Sequence, residues 1–187
     1  IIDLRSAGVL LNEVSVPVPP PSPNGQVYVT TSLAAGTALT MVNRSDETAI
    51  IDVEFTPNGG ADPVKRSFTL LGHAQLSGFL YASPFNIPVD QVGTLIYLSS
   101  TPLSTIALNA GSGKNVYQPI IDFGRANTNP ITIPQFADGG GWSGVITLVN
   151  PTTETISGEI RFFKAGLPGE PGMPANMTTD NGTASVF

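Results

Sequence analysis

One stretch occurs twice, and that repetition limits what the chain can fold into more than any other feature. Residues 41–55 read MVNRSDETAIIDVEF and residues 148–162 read LVNPTTETISGEIRF. They align without a gap at a shift of 107 (148 − 41 = 107). Val42/Val149, Asn43/Asn150, Glu47/Glu154, Thr48/Thr155 and Phe55/Phe162 are identical. Five identities in fifteen positions stand against roughly one expected from ordinary residue usage. A repeat of this kind identifies the folding unit.

Both copies share a pattern. An apolar run ends in Asn, a short polar stretch follows, and then residues alternate strictly. Ala49, Ile51, Val53 and Phe55 fall on one face, with Asp52 and Glu54 on the other. Ile156, Gly158, Ile160 and Phe162 fall on one face, opposite Glu159 and Arg161. Period-two alternation places one face on a core and one in water, as in a half-solvated antiparallel sheet. The polar stretch between the two runs reads as a hairpin loop. The expected fold is therefore all-β, with two related antiparallel β-sandwich units of immunoglobulin-like kind.

Composition narrows the functional classes. With 187 residues the chain is long enough to bury a real core. Its 20 Gly and 17 Pro favour strands and turns, and no amphipathic helix of ordinary length is evident. A net charge of −6, with three Lys and five Arg, argues against nucleic-acid binding, which needs a basic surface. Absence of Cys removes disulfides, thiol catalysis and Cys-ligated zinc. No apolar run reaches the length of a membrane span. Poverty in Lys and abundance of Thr and Gly point to a secreted or surface protein.

Along the chain, residues 1–25 form a leading strand and a proline-rich spacer containing Pro17, Pro19, Pro20, Pro21 and Pro23. Prolines lock φ and remove backbone donors, so such a spacer is extended and semi-rigid. A first sandwich unit spans 26–130. Its strands are expected at 27–31, 37–42, 49–55, 64–71, 74–80, 93–98 and 104–109, the last two separated by a turn at Thr101-Pro102. A second unit spans 131–187, with strands at 145–149 and 156–163.

That second unit comes up short. Phe187 corresponds to position 80 of the first unit (187 − 107 = 80), so strands 93–98 and 104–109 have no counterpart. An incomplete sheet leaves open edges and an uncovered apolar face. Residues 8–18 resemble residues 93–103 at a shift of 85 (93 − 8 = 85), matching at Gly8/Gly93, Leu10/Leu95, Ser15/Ser100 and Pro17/Pro102. The leading strand is thus a donor, through Val9, Leu10, Leu11, Val14, Val16 and Val18. The acceptor is the open face around Ile160 and Phe162. Donation within one chain, donation to the next copy, and a longer natural chain that carries the missing strands all satisfy the shortage. Donation between copies is head-to-tail and builds filaments.

The Gly139-Gly140-Gly141-Trp142 run, the Leu148-Val149-Asn150-Pro151 segment and Phe162-Phe163 resemble a β-rich, immunoglobulin-like repeat module of large secreted or surface bacterial proteins. The first repeat resembles the companion half of such modules, with its Val-Asn segment, the turn at 58–60 and a Thr-Pro-Leu-Ser stretch. The resemblance implies an extracellular location and a β-sandwich, and it carries over no catalytic residue.

His73 is the only histidine; a serine triad would have to run through it, and no Gly-x-Ser-x-Gly elbow accompanies it. Residues 111–114, Gly-Ser-Gly-Lys, lack the leading Gly of a phosphate loop and read as a turn. Trp142 is a flat platform for a sugar, and Asp138 with Asp122 or Asp180 supplies oxygens for calcium; a tight entry loop with Trp142 capping the sandwich edge accounts for the same residues. Asn43, Asn176 and Asn181 meet the glycosylation pattern. Asn43 aligns with Asn150, whose following Pro151 disqualifies it, so the role common to the two is turn capping.

Taken together, the sequence predicts a non-enzymatic extracellular structural protein without a cofactor. It would be a subunit of a pilus-like surface fibre built from copies of itself by strand donation, or an adhesin repeat. The alternative is a carbohydrate-binding module that uses Trp142, with calcium, on a surface glycan.

Overall fold

The two strands expected at 93–98 and 104–109 are one. In a computed structural model of the chain a single strand, β8, runs from Val92 to Gly111. Residues 2–14, 20–111, 114–124, 129–133, 136, 146–164, 166 and 172–175 are described. The other strands are β1 (Ile2–Ser6), β2 (Val9–Val14), β3 (Ser22–Thr30), β4 (Ala35–Asn43), β5 (Ala49–Pro57), β6 (Val64–Leu70), β7 (Gln75–Phe79), β9 (Lys114–Gln118), β10 (Phe162–Phe163) and β11 (Pro174–Ala175). The fold is all-β, with no helix among the described residues. It divides into two compact units, Ile1–Thr152 and Thr153–Phe187.

A straight strand of 20 residues would be roughly 65 Å long, far more than a small core can cover on one face. β8 therefore bends, and each half is hydrogen-bonded to different neighbours. Its first half pairs with β5, from Pro57↔Gly93 to Ile51↔Ser99, and with β3, from Thr30↔Val92 to Asn24↔Leu98. Its second half pairs with β4, from Asn43↔Leu103 to Ala35↔Gly111, and with β9, from Ala107↔Gln118 to Gly111↔Lys114. β6 extends β5 and β7 extends β4. The result is one curled antiparallel sheet whose halves share β8.

Pro102 explains why a bend replaces the expected turn. It has no N–H to give to a ladder, so pairing must lapse there, as it does at bulges. Serine hydroxyls fill the gap: Ile50 N donates to Ser100 Oγ at 2.9 Å, and Thr101 N to Ser99 Oγ at 3.4 Å. The register of β3 against β8 shifts at the same place, between Ser22 and Asn24.

Alternation does what the sequence predicts in β5, where Ala49, Ile51, Val53 and Phe55 are buried and Asp52 is exposed. They join Val27, Val29, Leu39, Met41, Leu95, Tyr97, Leu103 and Ala107 in one core drawn from both halves of β8. The connection between β7 and β8 plugs one open side with Leu80, Phe85 and Ile87, all buried. Phe85 meets Phe68 edge-on at 5.4 Å. Arg66 on β6 clamps this loop, donating from Nε to Phe85 O at 3.1 Å and from Nη2 to Asn86 O at 2.9 Å. Opposite, the chain after β9 crosses to β3, where Gln26 and Ile121 exchange two backbone hydrogen bonds of 2.8 and 2.9 Å.

The repeated stretch is not a hairpin. β4 and β5 do not pair; each lies on a different half of β8, so residues 44–48 form an arch from one half of the sheet to the other. The hairpin reading fails because polar loop residues between two apolar runs are equally suited to an arch. In the second copy, residues 146–150 carry no strand, and of the expected strand at 156–163 Phe162-Phe163 is formed, pairing with Pro174-Ala175, with a single bridge at Glu159. The leading segment is no single strand either: β1 and β2 form a hairpin around Ala7 and Gly8, both at positive φ (49° and 81°). Positive φ at both central residues marks the tight turn whose twist suits a two-residue hairpin.

Two outcomes follow. A Cβ at Gly93 would lie 2.2 Å from the Thr56 carbonyl oxygen, so Gly93→Ala should destabilise the fold by about 1–3 kcal/mol in chemical denaturation. Burial raises the Tyr97 phenol above its ordinary 10.0, a rise the Thr105 hydroxyl partly offsets and the Asp122 charge reinforces. Folding is therefore favoured by the neutral phenol: this stability is complete below the unfolded pKa and is lost as pH climbs through the raised folded value. Tyr97→Phe should flatten the fall in melting temperature above pH 10.0.

Candidate functional site

Asn43 ends β4 with its side chain fully buried (0% exposed). A buried amide must find partners, since an unpaired one costs about 1–3 kcal/mol. Its Nδ2 donates to Glu47 O at 2.6 Å and to Leu70 O and Leu71 O, each at 3.2 Å. Its Oδ1 accepts from Ser45 N at 3.1 Å and Ser45 Oγ at 2.8 Å. One side chain thus closes the arch and ties it to the end of β6.

The second copy repeats the turn. Asn150 Oδ1 accepts from Thr152 N and Thr152 Oγ1, both at 2.9 Å. The spacing is that of the first copy, 107 residues on (43 + 107 = 150; 45 + 107 = 152). An Asn whose side-chain oxygen is bonded by the backbone N–H two residues on is an Asx turn. What the copies share is this turn. The Asn43-Arg44-Ser45 glycosylation pattern is the same residue spacing read differently. The amide nitrogen a glycan would use is committed to three carbonyls in the interior, so the folded protein offers no room for sugar at Asn43.

Beyond the turn the copies diverge. Ala49, Ile51, Val53 and Phe55 are 0–2% exposed, whereas Ile156 is 40% exposed and Phe163, next to Phe162, is 59% exposed. Ile160 and Phe162 are half-buried. Leu148 and Met173 are also exposed. The Asn150-Pro151 segment lies within the first unit: Gln26 Nε2 donates to Asn150 O at 3.2 Å, Gly124 N donates to Pro151 O, and Pro151 is buried. The unit boundary after Thr152 therefore falls inside the second copy of the repeat.

Of the donor residues, Val9, Leu10 and Val14 pair in β2 with Ser6, Arg5 and Ile2, and Leu11 sits at the register shift between Leu4 and Arg5. Val16 and Val18 lie outside the described residues, as do Trp142, Asn176, Asn181, Asp138 and Asp180. β2 lies near β9 without pairing to it. The donor strand is thus paired to β1, and acceptor Phe162 to Ala175.

His73 adopts positive φ (58°) in the turn between β6 and β7, and its Nε2 is 2.7 Å from Asp46 Oδ1, both side chains exposed. With His73 N donating to Ser45 O at 3.2 Å, it braces the same arch. Glu159, exposed, has its carboxyl lowered by the hydrogen bond from Arg161 at 2.7 Å. No group of three metal-ligating side chains occurs among the described residues, nor does a helix long and apolar enough to cross a membrane.

No protein-family model and no curated protein matches the chain. Solved structures do. It is similar to the crystal structure of Thermotoga maritima 1070, at 19% identity and a TM-score of 0.43, over 54% of this chain and 92% of that one. It is also similar to the Anabaena sensory rhodopsin transducer, at 15% identity and a TM-score of 0.41, over 48% of this chain and 84% of that one.

Removing the two Asx turns should not cost the same. Asn43→Ala strands three carbonyls and two donors in or near the core and should lower stability by about 2–4 kcal/mol. Asn150→Ala, at an exposed turn, should lower it by about 1 kcal/mol or less. Urea titrations of the two variants beside the parent chain measure the difference.

Proposed function

We propose that the chain is a non-enzymatic extracellular structural protein of bacterial type, a subunit of a surface filament assembled head to tail by strand donation. In this reading two sandwich units alternate along the fibre, and the second is completed by the leading strand of a neighbouring copy. The observation that supports it is the contrast between the copies of the repeat. The same alternating apolar pattern is sealed beneath a sheet in the first, whereas in the second Ile156 is exposed and Ile160 and Phe162 are only half-buried. An apolar strand face in water is unstable against any strand that can cover it, because pairing supplies main-chain hydrogen bonds and burial together.

The leading hairpin suits the donor role. It forms a sheet of its own, apart from the sheet built on β8, and the sequence joining it to β3 carries Pro17, Pro19, Pro20 and Pro21. A proline-rich stretch is extended and semi-rigid, which gives a donated strand reach.

Chains lacking residues 1–18 should remain monomeric in sedimentation and give no filaments in electron micrographs, whereas the whole chain polymerises. Adding a synthetic peptide of residues 8–18 to the truncated chain should protect residues 153–187 from proteolysis. Fibres from the truncated chain would overturn the reading.

A further inference from the structure

The sequence contains three Asn-Gly pairs, at 24–25, 58–59 and 181–182, the third outside the described residues. The other two occupy opposite environments. Asn24-Gly25 lies within β3, where Gly25 is paired to Tyr97 and buried. A Cβ on Gly25 would come within 2.5 Å of the Tyr97 ring and 2.6 Å of Ile120. Asn24 Oδ1 is held by Phe123 N at 3.1 Å. Backbone and side chain are both pinned.

Asn58-Gly59 stands in the open. Residues 58–63, which join β5 to β6, are all exposed, with Gly59 and Gly60 at φ +91° and +82°. Nothing lies within 4 Å of where a Cβ would stand on either glycine. The Gly59 N–H has no hydrogen-bond partner among the described residues. Asn58 is nonetheless held in place: its backbone N donates to Val92 O at 2.8 Å and its Nδ2 to Tyr28 Oη at 3.0 Å.

We infer that Asn58 is a self-modifying site that converts spontaneously from amide to acid in the folded protein. Hydroxide removes the Gly59 amide proton, and the nitrogen attacks Asn58 Cγ. The new N–Cγ bond closes a five-membered imide as the Cγ–Nδ2 bond breaks, and the amide nitrogen leaves as ammonia after taking a proton from water. Water then opens the ring at either carbonyl, giving aspartate or isoaspartate at position 58. No oxidant or reductant takes part. Glycine at 59 leaves the attacking nitrogen unhindered, and its open surroundings admit the water. The product keeps its anchor, since the Tyr28 hydroxyl can donate to a carboxylate where it accepted from the amide. The modification adds one negative charge at the β5–β6 loop of a chain already at −6. In β3, the same chemistry requires the strand to open first.

The whole chain, held folded at neutral and at mildly alkaline pH, is sampled over time and analysed by site-resolved peptide mass mapping. Conversion at Asn58 should proceed, should quicken as pH rises, should yield both acid isomers, and should outpace Asn24 by about tenfold or more. In Asn58→Gln, whose longer side chain closes a less favourable ring, position 58 should stay an amide while Asn24 behaves as before. An intact Asn58 amide, or equal rates at Asn24 and Asn58, would overturn the inference.

Discussion

The first unit depends on a strand too long to lie flat. β8 is hydrogen-bonded to strands of both halves of the curled sheet: β3 and β5 on one stretch, β4 and β9 on the other. Because Leu95 and Tyr97 precede the bend and Leu103 and Ala107 follow it, bending delivers both sets of apolar side chains to one core. An unbent β8 would leave two half-solvated sheets, each with an apolar face in water. Pro102 makes the bend inexpensive, since a residue without an N–H gives up no ladder bond there.

A shared strand imposes a second requirement. β4 and β5 are consecutive yet belong to opposite halves, so the five residues between them must cross from one half to the other with their polar groups held in place. Asn43 meets that demand with five hydrogen bonds from one side chain, reaching the arch and the end of β6. Asn150 keeps the part of this geometry that is local, the turn to Thr152. Its surroundings differ: Asn150 is exposed where Asn43 is sealed. A turn held by its own side chain can form wherever the residues recur, whereas the buried network needs the strands around it.

Edges receive separate treatment. At β6 an inward-facing Arg66 is spent on loop carbonyls, placing a charge on an edge strand. At β3 the outer edge is met by Ile121.

Much of this was legible in the residues. Alternation located β4 to β7 to within two positions, while β3 begins at Ser22, inside the stretch read as a proline-rich spacer; the matched Asn43 and Asn150 pointed to capping turns, because periodicity and Asx geometry are properties of a few consecutive residues. The partners of those elements were not legible. A polar loop between apolar runs fits an arch as well as a hairpin, and a Thr-Pro pair fits a bend as well as a turn. The Leu80–Phe85–Ile87 plug carried no periodic signal at all. By itself, then, the sequence determined that the chain makes antiparallel strands, which side of each is apolar, and where two identical turns fall. Tertiary structure alone decided that β8 is one strand, that β4 and β5 part company across it, and that the two copies of one pattern are buried so differently. Strand pairing is a non-local choice, made by whichever arrangement closes the core, and no window of consecutive residues contains that information.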